Sequence, residues 1–459
     1  MPGRLGRPSH VLIAAAVIAL VAVVVAAAAL LGSGGKSNAS VPPPRPPAAS
    51  KPALVPLADS AKVPTTGGMT AALAAAVANP NLGILAGRIT DAKTGAQLWE
   101  QRADFPMQPA SVNKVLTTAA ALLALDRNAR VTTSVRAADQ DRMPGVVVLV
   151  GGGDPTLSAA PPGEQTWYRG AGRISDLADQ VRKSGLKPTA VQVDTSLFSG
   201  PDMAPGWDPD DIGGGDIAPI QAAMLDAGRI QPTTDESRRS PTPALDAGRA
   251  LAVALGVDPA KVTIAPGPAD GRELASVQSA PLMERLTQMM LASDNVMAET
   301  IGREVARATG RPSSFAGSVD AVTGRLSAEK IDMAGASLVD SSGLSVADLL
   351  TAKTLDEVVN AAAGPDHPAL RPMVDMLPVA GGSGTLSNRF YDGDAKKTAA
   401  GLLRAKTGSL TKTNSLAGIV TDLNGRVLTF AFISNNAGNE GRTAIDALAA
   451  TLRRCGCGA

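Results

Sequence analysis

The stretch at residues 109–114, Pro-Ala-Ser-Val-Asn-Lys, and the apolar run after it constrain the fold of this chain most. Apolar residues recur at positions 112, 115, 116, 119, 122 and 123, the spacing of one face of an α-helix. Ser111 and Lys114 lie three residues apart, so both side chains leave the same side of the first helical turn. The stretch therefore predicts a helix that opens with a serine and carries a lysine one turn later.

A serine at this position lies at the positive end of a helix, where backbone N–H groups are free. A lysine can accept the proton of a serine hydroxyl when burial or a second cation lowers its pKa. Ser111 and Lys114 are therefore a candidate nucleophile and base. The pattern Ser-x-x-Lys also begins many ordinary solvated helices, so its meaning depends on the rest of the chain.

The histidine count narrows the possible chemistry. The chain has 459 residues and two histidines, His10 and His367. A Ser-His-Asp hydrolase would have to use His367, which lies in a turn-like Gly-Pro-Asp-His-Pro segment. A histidine-based zinc site is excluded by number. The net charge of +1, with no basic block beyond the N-terminus, does not indicate nucleic-acid binding.

Residues 11–31 form an unbroken apolar run after Arg4 and Arg7. This length can cross a bilayer as a helix, and the preceding positive charge predicts a cytoplasmic N-terminus with the rest outside the membrane. We favour an uncleaved signal-anchor because the run is longer than a usual signal core; a cleaved signal peptide, which would give a secreted protein, is the alternative. The Gly- and Pro-rich residues 33–66 predict a spacer.

The middle of the chain differs in character from the segments around it. Residues 84–99 predict a hairpin that leads into the serine helix. Residues 146–150 and 190–194 predict strands around a helix at 174–184, and a segment rich in Pro, Gly and Asp follows at 199–243. Because helical sequence resumes near residue 281, we interpret the block between as an inserted region.

Two further short motifs follow this block. Residues 293–295 read Ser-Asp-Asn between two helical patterns, where they would also form an ordinary helix cap. Residues 406–408 read Lys-Thr-Gly, before two predicted adjacent antiparallel strands and a helix at 442–453. Each motif alone is weak, but Ser-x-x-Lys, Ser-x-Asn and Lys-Thr-Gly in this order are the signature of penicillin-binding proteins and serine β-lactamases.

Over about residues 70–455 the chain resembles the low-molecular-mass class C penicillin-binding proteins of the actinobacterial type, the D-alanyl-D-alanine carboxypeptidase/endopeptidases of peptidase family S13. The resemblance includes Gly-Gly-Gly-Asp-Pro-Thr-Leu at 151–157, Asp-Ser-Ser-Gly-Leu-Ser at 340–345 and Leu-Pro-Val-Ala-Gly-Gly-Ser-Gly-Thr-Leu at 377–386. The long separation between the first two motifs also resembles this family, whose members carry domains inserted there. The N-terminal anchor and the segment near 199–243 depart from the family pattern.

The resemblance implies an α+β protein with the transpeptidase fold of penicillin-binding proteins and serine β-lactamases: an antiparallel sheet flanked by helices, a helical subdomain and an inserted β-rich region. We expect five parts: a cytoplasmic stub with a membrane anchor (1–32), a linker (33–66), a discontinuous catalytic domain (67–127 and 275–454), inserted domains (128–274) and a tail (455–459).

The resemblance also implies four catalytic residues. Ser111 would attack the carbonyl of the penultimate D-Ala of a peptidoglycan stem peptide, and Lys114 would accept its proton. Ser293 would relay that proton to the leaving amine, and Asn295 would hold the substrate amide and orient Lys114. No metal and no organic cofactor is implied.

Four substrate-binding residues are implied by the third motif. Lys406 and Thr407 would bind the terminal carboxylate, and the charge of Lys406 would help to keep Lys114 neutral. Gly408 would leave room for substrate along the strand. The backbone N–H of Ser409 would form an oxyanion hole with that of the nucleophile.

Other interpretations remain open at this point. A serine β-lactamase shares all three motifs, but candidate deacylating residues such as Glu357 lack the expected surroundings, so we expect β-lactams to inhibit the protein. A catalytically silent cell-wall-binding module is a further alternative. Cys455 and Cys457 are too close in sequence for an easy bridge, and we expect a disordered tail rather than a metal site or a cross-link.

Overall fold

The computed structural model describes residues 61–391 and 393–457. The predicted anchor at 11–31 and nearly all of the predicted spacer lie outside the described residues. Within the described part, no helix is both long and apolar enough to cross a membrane.

The helices and strands of the described residues are numbered here in chain order. The helices are α1 (Thr66–Val77), α2 (Lys114–Ala124), α3 (Ile174–Lys183), α4 (Asp210–Gly214), α5 (Pro243–Leu255), α6 (Leu282–Ala292), α7 (Asn295–Ala308), α8 (Phe315–Ala328), α9 (Ala352–Ala363), α10 (Pro372–Met376), α11 (Gly393–Lys397) and α12 (Gly441–Arg454). The strands are β1 (Ile84–Asp91), β2 (Gln97–Gln101), β3 (Thr132–Ala137), β4 (Val146–Val150), β5 (Ala190–Asp194), β6 (Thr263–Ile264), β7 (Glu273–Gln278), β8 (Leu403–Leu410), β9 (Thr413–Thr421) and β10 (Val427–Asn435).

The first sheet has the order β2-β1-β10-β9-β8 and is antiparallel throughout. The hairpin predicted for residues 84–99 is confirmed as β1 and β2. β1 pairs along its whole length with β10, from Ile84 opposite Asn435 to Asp91 opposite Leu428. The two ends of the described chain therefore build one sheet, with β8 at one edge.

Both faces of this sheet are covered by helices, which explains why residues 430–433 of β10 form an unbroken apolar run. Phe430 and Phe432 contribute to a core with α1 and α12. Ala431 and Ile433 contribute to the core on the other face, with α2, α7, α8 and α9. A continuous apolar strand is the pattern expected when neither face of a sheet meets water.

Helix α2 lies at the centre of the helical layer. The sequence predicts one apolar face, but every residue from Lys114 to Leu122 is buried, because α2 lies between the sheet and the neighbouring helices α7, α8 and α9. The polar side chains of this helix are therefore buried as well, and Lys114 is fully buried.

The second sheet is built by the inserted region and has the order β6-β5-β4-β3-β7. β4, β5 and β6 are parallel, whereas β3 pairs antiparallel with β4 and β7. Helices α3 and α5 contribute to its apolar core. The unit thus combines a five-stranded mixed sheet with helices. The expected boundary at residue 274 falls inside β7, which continues to Gln278.

The segment 199–243 belongs to the inserted region, but part of it packs against helices α2 and α7. Trp207, Ile217 and Met224 are buried in the core that contains α2 and α7. The ring of Trp207 meets that of Phe315 edge-on, with 5.1 Å between their centroids. This segment therefore forms part of the surroundings of α2 and α7.

The residues after α12 differ from the expected disordered tail. Cys455 and Cys457 form a disulfide. Cys455 is buried, with its sulfur 3.8 Å from that of Met69 on α1, and the backbone N–H of Thr65 donates to the carbonyl of Cys457 at 3.0 Å. The tail prediction is therefore wrong for residues 455–457, because contacts with α1 hold them, and the expectation that the two cysteines are too close to bridge is also wrong.

Candidate active site

Ser111 lies in a 3₁₀ turn, Ala110–Asn113, and α2 begins one turn later than predicted, at Lys114. The turn packs on β8 and β9: the hydroxyl of Ser415 donates to the carbonyl of Pro109 at 2.5 Å. Ala110 adopts a left-handed conformation with φ of 52°, which turns the chain into the helix. Ser111 is partly exposed, whereas its neighbours in the turn are buried.

The amine of Lys114 has three oxygen partners. It lies 2.9 Å from the hydroxyl oxygen of Ser111, 2.6 Å from Oδ1 of Asn295 and 2.8 Å from the backbone carbonyl oxygen of Ser342. The side-chain amide of Asn295 is fixed in this orientation because its Nδ2 donates to the carbonyl of Asp216 at 3.0 Å. The predicted nucleophile, base and second-motif asparagine therefore meet at one amine.

Burial lowers the pKa of Lys114 to about 8, although nearby carboxylates, with Asp340 first among them, oppose the shift. A buried ammonium loses its hydration, so the neutral amine becomes accessible near neutral pH. A lysine with such a pKa can accept the proton of a serine hydroxyl.

The second motif joins α6 to α7, as the sequence predicts. Ser293 ends α6 in the left-handed region, with φ of 58°. Asp294 caps α7 by accepting the N–H of Met297 at 2.9 Å. The motif therefore serves both as a helix cap and as part of the site. Asp294 caps α7, while Asn295 contacts Lys114 and Ser293 contacts Lys406.

Lys406 on β8 is fully buried, and its amine donates to the hydroxyl of Ser293 at 2.8 Å and to the carbonyl of Thr407 at 2.7 Å. Burial, followed by the positive charge of Lys114, lowers the pKa of Lys406 well below its usual value. From the sequence we expect Lys406 to lower the pKa of Lys114, and the repulsion between the two ammonium groups acts on both amines. The notion that the amines of both Lys114 and Lys406 touch the Ser111 hydroxyl is correct for Lys114 only, since the side-chain contact of Lys406 is Ser293.

The rest of the third motif lies along β8. The hydroxyls of Thr407 and Thr385 are 2.8 Å apart. A Cβ atom on Gly408 would lie 2.2 Å from the Ser415 hydroxyl and 2.8 Å from the Pro109 carbonyl. The glycine is thus required by the approach of the Ser111 turn to the strand, a different reason from the expected room for substrate. Ser409 is exposed on the same strand.

Several residues at the site were not singled out as functional from the sequence. Ser342 and Thr385 lie inside the segments 340–345 and 377–386, which were part of the family resemblance. No local sequence pattern indicates that Ser342 contacts Lys114 or that Thr385 contacts Thr407. Tyr168 and Arg229, from the inserted region, had no sequence signal. The hydroxyl of Tyr168 donates to Asp294 at 2.5 Å and accepts from Arg229 at 2.8 Å.

A cavity of about 360 Å³ opens beside Ser293 and Asn295. It is lined on the other side by the inserted region, including Asp216, Arg229 and Arg239. The site therefore has a charged wall that the catalytic domain does not supply. In the described part of the chain, no cluster of three or more His, Cys, Asp or Glu residues is arranged to hold a metal ion.

Two residues weighed from the sequence lie away from this site. His367 lines a separate cleft with Glu357, between the β1–β2 turn and α9. Glu357 pairs with Arg88 at 3.3 Å and accepts the N–H of Asp332 at 2.9 Å. Neither residue contacts Ser111 in the structure, so this arrangement does not use a histidine as the base of that serine.

An antiparallel sheet covered on both faces, a serine bonded to a buried lysine, and a second lysine on the edge strand together define a serine acyl-transfer enzyme of the penicillin-binding-protein class. The chain belongs to the D-Ala-D-Ala carboxypeptidase 3 (S13) family, whose profile matches residues 69–239 and 233–455. A second profile, the N-terminal domain of the Carboxypeptidase Rv3627c-like proteins, matches residues 1–56. The family recognised from the three motifs is therefore confirmed.

Similar proteins agree with this assignment. Carboxypeptidase DacB of Mycolicibacterium smegmatis is 69% identical over 409 residues, covering 89% of this chain and 88% of that protein. Carboxypeptidase Rv3627c of Mycobacterium tuberculosis is 67% identical over 407 residues, with the same coverage of 89% and 88%. The crystal structure of penicillin binding protein 4 from Haemophilus influenzae matches with a TM-score of 0.66 at 23% identity, covering 84% of this chain and 98% of that one. The predicted α+β transpeptidase fold is confirmed, and the chain is a D-Ala-D-Ala carboxypeptidase, a hydrolase.

Proposed function

We propose that this carboxypeptidase removes the terminal D-Ala of peptidoglycan stem peptides through an acyl-enzyme on Ser111. The observation that carries the proposal is the position of the Lys114 amine, which contacts the Ser111 hydroxyl and the Asn295 amide oxygen while fully buried. The relatives support the substrate class, since one from Actinomadura, 26% identical, is named a D-alanyl-D-alanine carboxypeptidase.

In the first step, Oγ of Ser111 forms a bond to the carbonyl carbon of the penultimate D-Ala and gives its proton to neutral Lys114. The N–H groups of Ser111 and Ser409 hold the resulting oxyanion, and such donors are each worth about a hundredfold or more in rate. The C–N bond then breaks, and Ser293 passes the proton to the departing amine. Water hydrolyses the ester and restores the Ser111 hydroxyl.

The third motif binds the free end of the peptide. Thr407 and the edge of β8 bind the carboxylate of the terminal D-Ala, beside the amine of Lys406, which donates to the Ser293 hydroxyl. Thr385, whose hydroxyl contacts that of Thr407, holds the threonine in place. Asn295 receives the backbone amide of the substrate.

The test is mass spectrometry of purified muropeptides after incubation with a protein comprising residues 61–459. Loss of one alanine mass from pentapeptides is the expected result, and conversion of cross-linked dimers to monomers would add an endopeptidase activity. A Ser111→Ala variant of the same length serves as the control and should leave the muropeptides unchanged. Unaltered pentapeptides with the wild-type chain would refute the proposal.

A β-lactamase activity is disfavoured by the placement of the acidic residues. Glu357 lies away from the site, paired with Arg88. Glu299, near Lys114, is fully buried and accepts the N–H of Ser341 at 3.0 Å, so it is not placed to activate water for deacylation. β-Lactams should therefore acylate Ser111 and remain bound. Rapid, continuous turnover of a chromogenic cephalosporin would overturn this expectation.

We also propose that the carboxypeptidase is held at the cell membrane by residues 11–31, with its catalytic body on the outer side. The apolar run and the arginines before it support this orientation. Fractionation of cells that express the full chain should place it in the membrane, and a variant lacking residues 1–32 behind a cleavable signal should be released. If cells that express the full chain release a shortened protein into the medium, a cleaved signal is favoured.

A further inference from the structure

The amine of Lys114 is held so that its lone pair can face only Ser111. Two of its three partners, Oδ1 of Asn295 and the carbonyl oxygen of Ser342, accept hydrogen bonds and cannot donate them. A neutral amine has two N–H groups, and these two oxygens take both. The third partner, the Ser111 hydroxyl, can donate, so it is the group left for the lone pair.

The loop that carries the Ser342 carbonyl is held by the buried side chain of Asp340. Oδ1 of Asp340 accepts the N–H groups of Ser342 at 2.9 Å and Gly343 at 2.6 Å. Its Oδ2 accepts the N–H of Ser345 at 2.8 Å and the indole N–H of Trp207 at 2.8 Å. The two oxygens of this one side chain therefore accept four N–H groups.

The loop that Asp340 organises lies directly on the turn of the nucleophile. A Cβ atom on Gly343 would lie 2.0 Å from the carbonyl oxygen of Ala110. The side-chain amide of Asn113 donates to the backbone carbonyl of Asp340 at 3.2 Å, and the hydroxyl of Thr117 donates to that of Ser341 at 2.6 Å. A shift of this loop would therefore move both the Ser342 carbonyl and the Ser111 turn.

We propose that Asp340 is a positioning residue for acylation, which directs Lys114 at Ser111 through the Ser342 carbonyl, and that Trp207 ties this device to the inserted region. Asp340 touches neither the substrate nor the reacting atoms. The proposal rests on the function proposed above, in which Lys114 is the base. It also gives the segment 199–243 a part in acylation.

The other charged groups near Lys114 do not replace Asp340. Burial raises the pKa of Glu299 to about 8, and burial followed by the charge of Asp340 raises the pKa of Asp348. Asp294 lies beside Arg229, whose charge lowers its pKa against the effect of burial. The remaining neighbour is Lys406, which can carry only positive charge and so cannot replace a carboxylate. Glu299 accepts one N–H of this loop, from Ser341, whereas Asp340 accepts three and has the larger effect on the pKa of Lys114.

The test measures the rate constant of acylation by benzylpenicillin against pH in the full chain with Asp340→Asn. The asparagine keeps the size of the side chain but offers an NH₂ group to two of the four N–H donors. We expect the maximal rate constant to fall by about a hundredfold, the effect of a displacement of about 1 Å. We also expect the acid limb to move to lower pH, because the charge of Asp340 raises the pKa of Lys114 and its loss lowers it.

Two further variants separate positioning from folding. Trp207→Phe removes one donor and keeps the aromatic packing on Phe315. It should lower the maximal rate constant severalfold and leave the acid limb in place, since the charge of Asp340 remains. Asp356→Asn is the matched control: Asp356 is also buried and accepts from Thr429 at 2.8 Å, but it lines the remote cleft. It should lower the melting temperature without changing acylation per folded molecule.

The inference would be overturned if Asp340→Asn and Trp207→Phe were both acylated at the wild-type rate. It would also be overturned if their rate constants fell only in proportion to the fraction of folded protein. If Asp340→Asn does not fold, Trp207→Phe alone decides, and an unchanged rate constant there refutes the proposal. Failure of the wild-type chain to react with benzylpenicillin would instead refute the proposed function. The two failures are thus distinguishable.

Discussion

At the scale of single residues, the account depends on a buried lysine whose charge is easily lost. Lys114 is fully buried, and burial lowers its pKa to about 8. Lys406 is buried nearby, and the charge of Lys114 adds to burial in lowering its pKa. Two adjacent amines in a site of low dielectric favour a state in which they share fewer than two charges.

This arrangement predicts a rising pH profile for acylation. With neutral Lys114 as the proposed base and its folded pKa lowered to about 8, the rate constant should rise about tenfold per pH unit below that value and level off above it. Stopped-flow measurement with benzylpenicillin between about pH 6 and pH 9 checks this. A rate constant that is flat or falls across the acid side would show that Lys114 is not the base.

At the scale of elements, the site depends on how closely the Ser111 turn approaches β8. Gly408 allows this approach, because any side chain there would meet the Ser415 hydroxyl at 2.2 Å and the Pro109 carbonyl at 2.8 Å. The strand carries Lys406 and the turn carries Ser111, the proposed nucleophile, so the separation of these two elements sets the geometry of the site.

Gly408→Ala should therefore push the turn from the strand and lower the acylation rate constant by about a hundredfold, together with a lower melting temperature. Gly87→Ala is the matched control, because its Cβ would press on Phe432 at 2.7 Å in the same sheet, on β1, which is separated from β8 by β10 and β9. It should cost stability but leave acylation per folded molecule unchanged. Equal acylation by both variants would contradict this role of Gly408.

At the scale of the whole molecule, the inserted region supports the second motif as well as forming its own sheet. Arg229 donates to the Tyr168 hydroxyl at 2.8 Å and lies 3.6 Å from Asp294, and all three side chains are buried. Residues of the inserted region therefore hold Asp294, which caps α7 and lies between Ser293 and Asn295 in the sequence.

Arg229→Ala should leave the carboxylate of Asp294 buried without its cation, at a cost of about 3–5 kcal/mol in the free energy of unfolding. Denaturant unfolding measures this cost. Arg142→Ala is the control, since Arg142 forms an exposed pair with Asp139 at 3.5 Å and should change stability by about 1 kcal/mol or less. Equal stabilities of the two variants would show that the insertion does not support the motif.

The sequence predicted those features that local pattern encodes. The hairpin, the helix after Ser111, the junction at Ser293 and the C-terminal strands follow from apolar spacing and turn residues, and the order of three motifs identified the family. It could not predict that the Ser342 carbonyl would meet Lys114, or that Trp207 would reach Asp340, because such contacts join segments with no shared local pattern. The bridge between Cys455 and Cys457 was missed because spacing alone argued against it.

The central claim is that Ser111, activated by Lys114, becomes covalently acylated. Intact-protein mass spectrometry after incubation with benzylpenicillin tests it most directly, with Ser111→Ala alongside the wild-type chain. We expect one adduct with the mass of the whole antibiotic on the wild type, located by peptide mapping to the segment that contains Ser111, and none on the variant. A wild-type chain that forms no adduct, or a variant that forms the same one, would contradict the account.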